Sequence, residues 1–263
     1  MEALLFDLDG VLYKGEQAID GAAQTVRWVQ QHNIPHLFLT NTTSRPRSAL
    51  VKKLASMGIY IHESQLLTPA VAACQWIKSK VKGDIALFIP QATQTEFQNL
   101  TVTTPGQCEH IGAIVIGDLG ELWDFATLNR AFRLLMNDPQ PALIALGMTR
   151  YWRAEDGLRL DAGPFVSALQ YASGRDPVVL GKPAKPFYQA ALQTLGVPAD
   201  QVYMIGDDIR GDIDGAQKAG IKAILVKTGK FQASDLKLGI TPFACLDSVA
   251  DLPRWWQQNI AIH

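Results

Sequence analysis

Cysteine is scarce in this chain of 263 residues: Cys74, Cys108 and Cys245 are three in number and far apart. An odd, scattered set gives neither a disulfide framework nor the paired spacing of a zinc site, and it fits a reducing compartment. Histidine is sparse too, and His32, His36, His62, His110 and His263 form no metal-ligand constellation. The net charge is only -1, so nothing points to a nucleic-acid or membrane surface. The longest apolar runs, such as Ala113 to Ile116, are strand-sized and far short of a membrane span. The first apolar stretch starts almost at Met1 and carries acids where a secretory signal needs an unbroken apolar core, so a cytoplasmic setting is expected. Glycine-rich nucleotide loops are lacking as well. Gly117-Asp118-Leu119-Gly120 is too sparse, and Gly206-Asp207-Asp208 lacks the spacing of a dinucleotide fingerprint.

What is present is an ordinary globular composition, 48% apolar and 19% charged, in a chain long enough for two cores. Leu4-Leu5-Phe6 is too brief for a helix and ends in Asp7, Asp9 and Gly10, which reads as a buried strand that stops at a charged turn. Asp20 can cap a helix over 21–32, and His36 to Leu39 is a second strand ending in Thr40-Asn41-Thr42-Thr43. A further helix follows, with Ser44 as cap, Pro46 in its first turn and Gly58 as terminator. Strand, helix, strand and helix in that order predict a doubly wound parallel sheet with right-handed crossovers, a Rossmann-like α/β core.

After a helix over 69–80 the texture changes. Strands at 85–89, 112–116 and 142–146, helices at 127–136 and 164–172, and a hairpin around Tyr151 and Leu160 are enough for a separate, smaller α/β core. The segment 83–177 is therefore expected to be a domain inserted into a discontinuous one made of 1–82 and 178–263. The larger domain resumes with a strand at 178–180, then Gly181-Lys182-Pro183, a helix over 186–195 and a strand at 202–205. That strand runs into Gly206-Asp207-Asp208-Ile209-Arg210-Gly211-Asp212. A strand at 223–226 and a helix over 247–258 complete it.

Four polar clusters thus fall at the carboxyl ends of predicted strands: Asp7/Asp9, Thr40/Asn41/Thr42, Lys182 and Asp207/Asp208/Asp212. In a parallel sheet those ends lie along one edge, where ligands of open α/β sheets bind. Acid oxygens suit Mg2+, whereas a lysine, hydroxyls and backbone N–H groups suit the oxygens of a phosphoryl group. Each cluster alone has a plainer reading: an acidic turn at Asp7-Leu8-Asp9-Gly10, a turn or helix-cap pair at Thr40-Asn41, a solvated loop at Lys182 and a solvated acidic loop at Asp207/Asp208/Asp212. Their chemical complementarity in this order favours phosphoryl transfer. Asp7 is the candidate nucleophile, Asp9 the acid/base that protonates the leaving oxygen, and Lys182 the cation that balances the acids.

With these residues the chain resembles the haloacid dehalogenase (HAD) superfamily, through Asp-Leu-Asp-Gly-Val at 7–11, Leu-Thr-Asn at 39–41, Gly-Lys-Pro at 181–183 and Gly-Asp-Asp-Ile-Arg-Gly-Asp at 206–212. An insertion between the second and third motifs resembles the type C2 cap of subfamily IIA. Leu146-Gly147, Tyr151, Leu160-Asp161, Gly163-Pro164 and 227–231 support that placement. The resemblance implies a Mg2+-dependent phosphatase working through a phospho-aspartate on a small phosphomonoester, phosphoamide or pyrophosphate. It implies Asp7, Asp9 (through its backbone carbonyl) and Asp207 as metal ligands, and Thr40, Asn41, Thr42 and Lys182 as phosphate binders. Asp208 and Asp212 would orient metal-bound water or Lys182. In the family a cap of this size often supplies a homodimer contact, which leaves the oligomeric state open, and the near-neutral charge gives no reason for a nucleic-acid or membrane partner. Tyr151, Trp152 and Arg153 are candidates for substrate contact from the cap.

Two other readings share this chemistry. A phosphotransferase or mutase would pass the phosphoryl group to an acceptor other than water. A non-enzymatic aspartyl-phosphate receiver also combines acids, a hydroxyl and a lysine. Receivers are about half this length, carry no inserted domain, and place the phosphorylated aspartate on a central strand rather than beside the paired acids of the first.

Overall fold

A computed structural model describes residues 2–103, 111–154 and 156–260. Cys108, His110 and His263 lie outside the described residues. By contacts the chain divides into two compact units. The first is 1–40, 47–67 and 182–263, and the second is 41–46 and 68–181.

In chain order the strands of the first unit begin with β1 (Ala3–Asp7), the short hairpin of β2 (Tyr13–Lys14) and β3 (Gln17–Ala18), β4 (His36–Leu39) and β5 (Leu66–Leu67). The second unit supplies β6 (Asp84–Phe88), β7 (Ile111–Ile116), β8 (Ala142–Ala145), the hairpin of β9 (Tyr151–Ala154) and β10 (Gly157–Leu160), and β11 (Val178–Val179). β12 (Val202–Gly206), β13 (Lys222–Val226) and β14 (Ala244–Leu246) return to the first. The helices are α1 (Ala22–Gln31), α2 (Arg47–Ser56), α3 (Pro69–Lys80), α4 (Phe125–Leu135), α5 (Ala162–Ser173), α6 (Lys185–Leu195), α7 (Gly215–Lys218) and α8 (Leu252–Asn259).

The first unit is a six-stranded sheet ordered β14-β13-β12-β1-β4-β5, with every pairing parallel. β1 is buried along its whole length, as a central strand covered on both faces must be. Leu4 and Phe6 point to a core shared with Val26 and Val29 of α1, Leu50 and Leu54 of α2 and Trp256 of α8. Alternation then sends Leu5 and Asp7 to the opposite face. The chain leaves β1 toward β4 on one side, while β12, β13 and β14 build outward on the other. β1 and β12 therefore flank the point where the direction of winding reverses, the crevice in which such sheets bind ligands.

The second unit is a four-stranded parallel sheet ordered β11-β8-β7-β6, with α4 and α5 packed together and the separate β9–β10 hairpin. Ala86, Ile114, Ile116, Leu143 and Ala145 form its core with Ala131 and Leu135 of α4 and Val166 and Leu169 of α5.

Several local expectations change. Asp20 does not cap α1; Gly21 does, in a left-handed conformation at φ 81° with no side-chain bond. Pro46 falls just ahead of α2 instead of in its first turn. The strand at 178–179 pairs with Ile144 and Ala145, so it belongs to the second sheet and not the first. Helix α3 also falls in the second unit, where it packs with the turn at 91–97. The segments β5 and β14 were not anticipated, because at two and three residues they show no readable alternation.

Candidate active site

β1 delivers Asp7 at its last residue, buried at the sheet's carboxyl edge. Asp9 follows in the turn and is exposed, and Gly10 takes φ 86°, a conformation a side chain disfavours. A Cβ on Gly10 would also meet the Asp207 carboxylate at 2.1 Å. β12 delivers Asp207 directly after its last residue. The chain there winds into a π-helical turn, Ile209–Asp214, in which Asp212 and Ile213 both donate their N–H to the Asp208 carbonyl at 2.9 and 3.2 Å. Such turns often mark functional sites, and this one brings Asp212 back beneath β12. A Cβ on Gly206 would meet the Asp212 side chain at 2.2 Å, so glycine there permits the close approach.

Lys182 does not come from a strand of this sheet; it precedes α6. Its ammonium reaches Asp7 Oδ1 at 2.6 Å and Asp212 Oδ1 at 2.7 Å, with only 6% of its side chain exposed. Asp212 Oδ2 accepts from the N–H groups of Asp207 and Asp208, each at 3.2 Å. Asp208 Oδ1 accepts from the N–H groups of Arg210 and Gly211 at 3.0 and 2.8 Å. The Tyr188 hydroxyl, carried by α6, donates to the Gly211 carbonyl at 2.8 Å and secures the turn from below.

One oxygen of Asp207 accepts the N–H of Lys230 at 2.6 Å, and the other, Oδ1, is buried with no hydrogen-bonding partner. Carboxylate oxygens of Asp7, Asp207 and Asp212 lie within 4.8 Å of one another. Burial raises the pKa of all three carboxyls, taking Asp207 to about 6 and Asp212 to about 7. Burial opposes the Lys182 ammonium, but Asp212 and Asp7 outweigh it and raise its pKa. One buried ammonium among three buried carboxyls leaves an excess of negative charge, which a cation would relieve. Both oxygens of Asp212 already face donors, so the orphaned Asp207 Oδ1 is the ligand that fits an added cation. An all-oxygen set of this kind suits Mg2+.

Thr40 is buried at the end of β4, the strand hydrogen-bonded beside β1. Asn41 and Thr42 follow it directly but fall within the second unit, Asn41 exposed and Thr42 half-buried. Asp7, Lys182, Asp207, Asp208 and Asp212 are brought together, with Asp9 at the same strand end. Tyr151, Trp152 and Arg153 lie on the exposed β9 strand of the second unit.

The loop after β13 takes part in the site although its own sequence assigns it no role. The Thr228 hydroxyl donates to the Gly10 carbonyl, and a Cβ on Gly229 would stand 2.5 Å from Gly10 Cα and 2.1 Å from Asp207 Oδ2. This loop therefore ties the first and last acidic turns together. The available signal was positional: 227–230 also follows a parallel strand, at the same sheet edge.

A parallel α/β sheet with carboxylates and a lysine converging at its carboxyl edge is the arrangement expected of a HAD-type hydrolase core. Family models agree: 4–103 matches the haloacid dehalogenase-like hydrolases and 179–252 a second HAD-hydrolase-like model. Human phospholysine phosphohistidine inorganic pyrophosphate phosphatase is 39% identical over 239 residues, 89% of this chain and 86% of that protein. Haloacid dehalogenase-like hydrolase domain-containing protein 2 of Bos taurus is 36% identical over 249 residues, 94% and 93% of the two chains. The crystal structure of hypothetical protein PH1952 from Pyrococcus horikoshii OT3 superposes with TM-score 0.89 at 28% identity, covering 97% of this chain and 99% of that one. The chain belongs to the haloacid dehalogenase-like hydrolases.

Proposed function

We propose that this hydrolase is a Mg2+-dependent phosphatase that acts on a small phosphomonoester, phosphoamide or pyrophosphate through a phospho-aspartate on Asp7. The observation that carries the reading is the Lys182 ammonium, bonded to Asp7 Oδ1 at 2.6 Å beside the partnerless Asp207 Oδ1. The relative named as a phosphatase of phospholysine, phosphohistidine and inorganic pyrophosphate supports the substrate range. Mg2+ held by Asp7, Asp207 and the Asp9 carbonyl would screen the repulsion between a carboxylate and a phosphate dianion.

An oxygen of Asp7 attacks phosphorus while the bond to the leaving atom, oxygen in an ester or diphosphate and nitrogen in a phosphoamide, breaks and its electron pair stays on that atom. Asp9 gives that leaving atom a proton. Water then attacks the same phosphorus and loses a proton to Asp9, and the acyl phosphate bond breaks to return the Asp7 carboxylate and free inorganic phosphate. Lys182, Thr40, Asn41 and Thr42 bind the phosphoryl oxygens, and Asp212 and Asp208 hold Lys182 and the turn in place. The second unit, centred on 83–177, is proposed as a cap that excludes water during transfer and selects the leaving group. A homodimer and a cytoplasmic setting complete the proposal; no helix among the described residues is long and apolar enough to cross a membrane.

Phosphate release from a panel of phosphohistidine, phospholysine, pyrophosphate, sugar phosphates and nucleotides with Mg2+ tests it. Full activity in Asp7→Asn, or after removal of all divalent metal, overturns it. Phosphorylated product from an added acceptor alcohol, at the expense of free phosphate, would favour a phosphotransferase instead.

A further inference from the structure

Lys182 has its ammonium committed to Asp7 and Asp212 at 2.6 and 2.7 Å and is almost wholly buried. It balances the acids of the site and has little capacity left for charge on the part of a substrate that departs. A second ammonium stands at the same sheet edge. Lys230 has its own backbone N–H on Asp207 Oδ2 at 2.6 Å, so the root of its side chain is fixed at the candidate metal ligand. The loop that carries it is held by the Thr228 bond to the Gly10 carbonyl, and Gly229, lacking a Cβ, lets it pass close against Asp207 and Gly10.

Its tip is free by comparison. The side chain is 69% exposed, and its ionic contact to Asp208 Oδ2 is 3.4 Å long. A charge-assisted bond at full strength is about 2.7–2.9 Å, so this contact is easily exchanged for a better one. Asp208 already has two backbone N–H partners on its other oxygen and does not depend on Lys230 for satisfaction.

We propose that Lys230 is a specificity-determining residue whose ammonium receives negative charge on the leaving portion of the substrate. It fits the site to leaving groups that bear their own anion, of which the second phosphate of a diphosphate is the simplest. The inference rests on the phosphatase reading. During transfer the second phosphate gains the electron pair of the broken bridge bond. An ammonium beside the second phosphate meets the anion that group already carries on its other oxygens, which a neutral aryl leaving group does not offer.

The test compares kcat/KM for inorganic pyrophosphate and for p-nitrophenyl phosphate, whose aryl group carries no anion before cleavage, at fixed Mg2+. Lys230→Gln is expected to lower the ratio of the two by about tenfold, the factor for one lost hydrogen bond to a charged group. Lys230→Arg, which keeps the charge, is expected to restore the ratio to within about twofold of wild type. Equal losses on both substrates in Lys230→Gln, or a ratio that Lys230→Arg leaves as low as Lys230→Gln, overturn the inference and assign Lys230 to holding Asp208. Wild-type protein that cleaves p-nitrophenyl phosphate but not pyrophosphate also overturns the inference, whereas protein that cleaves no member of the whole phosphate panel overturns the phosphatase reading itself.

Discussion

The Lys182 ammonium lies 2.7 Å from Asp212 Oδ1, while Asp212 Oδ2 takes two backbone N–H groups at 3.2 Å, so this carboxylate faces donors on both sides. An isosteric Asp212→Asn must turn its NH2 toward one of those donors. The expected outcome is a loss of about 1–3 kcal/mol of stability, the cost of a buried donor without an acceptor. Activity should fall with it, since Lys182 loses the partner that aims it. Urea unfolding and kcat measured together check this, and an unchanged unfolding midpoint would contradict the structural role.

Cation binding should depend on pH through Asp207. Its pKa is about 6, raised above the ordinary 3.8 by burial. A raised carboxyl stabilises the folded state fully below 3.8 and loses that contribution as pH rises through about 6. Mg2+ replaces the proton, so its affinity should be full above that value and fall about tenfold per pH unit below it. Calorimetric titration with Mg2+ from pH 7.5 down to about pH 5 checks the slope, and Mg2+ should raise the melting temperature more at the higher pH.

The loop after β13 is expected to act on the metal site without touching substrate through its glycine. Gly229 has φ 59°, and a Cβ there would press on Asp207 Oδ2 and Gly10 Cα. Gly229→Ala should therefore displace Asp207 and weaken Mg2+ binding by at least about tenfold, with a stability loss of about 1–3 kcal/mol from backbone strain. Thr228→Val, which removes the bond to the Gly10 carbonyl, should act in the same direction and Thr228→Ser should not. Mg2+ titration by calorimetry reads all three directly.

What could be read beforehand follows the physics of each element. β1, β4, β12 and β13 are continuous apolar runs bounded by turns, and β1 announces its own end because two acids and a glycine cannot continue a buried strand. Long-range pairing has no such local signature. Val178–Val179 looks like any short strand, and only its register with Ile144 and Ala145 assigns it to the second sheet. Lys182 was legible as a residue after a glycine and ahead of a helix, but not the fact that the strand before it lies in the second sheet. Gly229 illustrates the same limit. Its need for a bare Cα arises from Asp207 and Gly10, both remote in the chain, so nothing in 227–230 itself reveals it.

Asp9 offers the cleanest separation of chemistry from folding, because it is exposed while Asp7 is buried at the same strand end. If Asp9 protonates the leaving oxygen, Asp9→Asn should fold normally and lose about 10²–10⁴ in rate on substrates whose leaving group needs that proton. An activated leaving group such as p-nitrophenolate departs without one. With that substrate the first step should be largely spared, and the phospho-aspartate on Asp7 should accumulate because no base remains to accept the proton of the attacking water. Rapid acid quench followed by mass measurement of the protein would detect the added phosphoryl mass on Asp7. A rate loss of equal size on alkyl and nitrophenyl phosphates, with no phosphorylated protein, would remove Asp9 from the acid/base role.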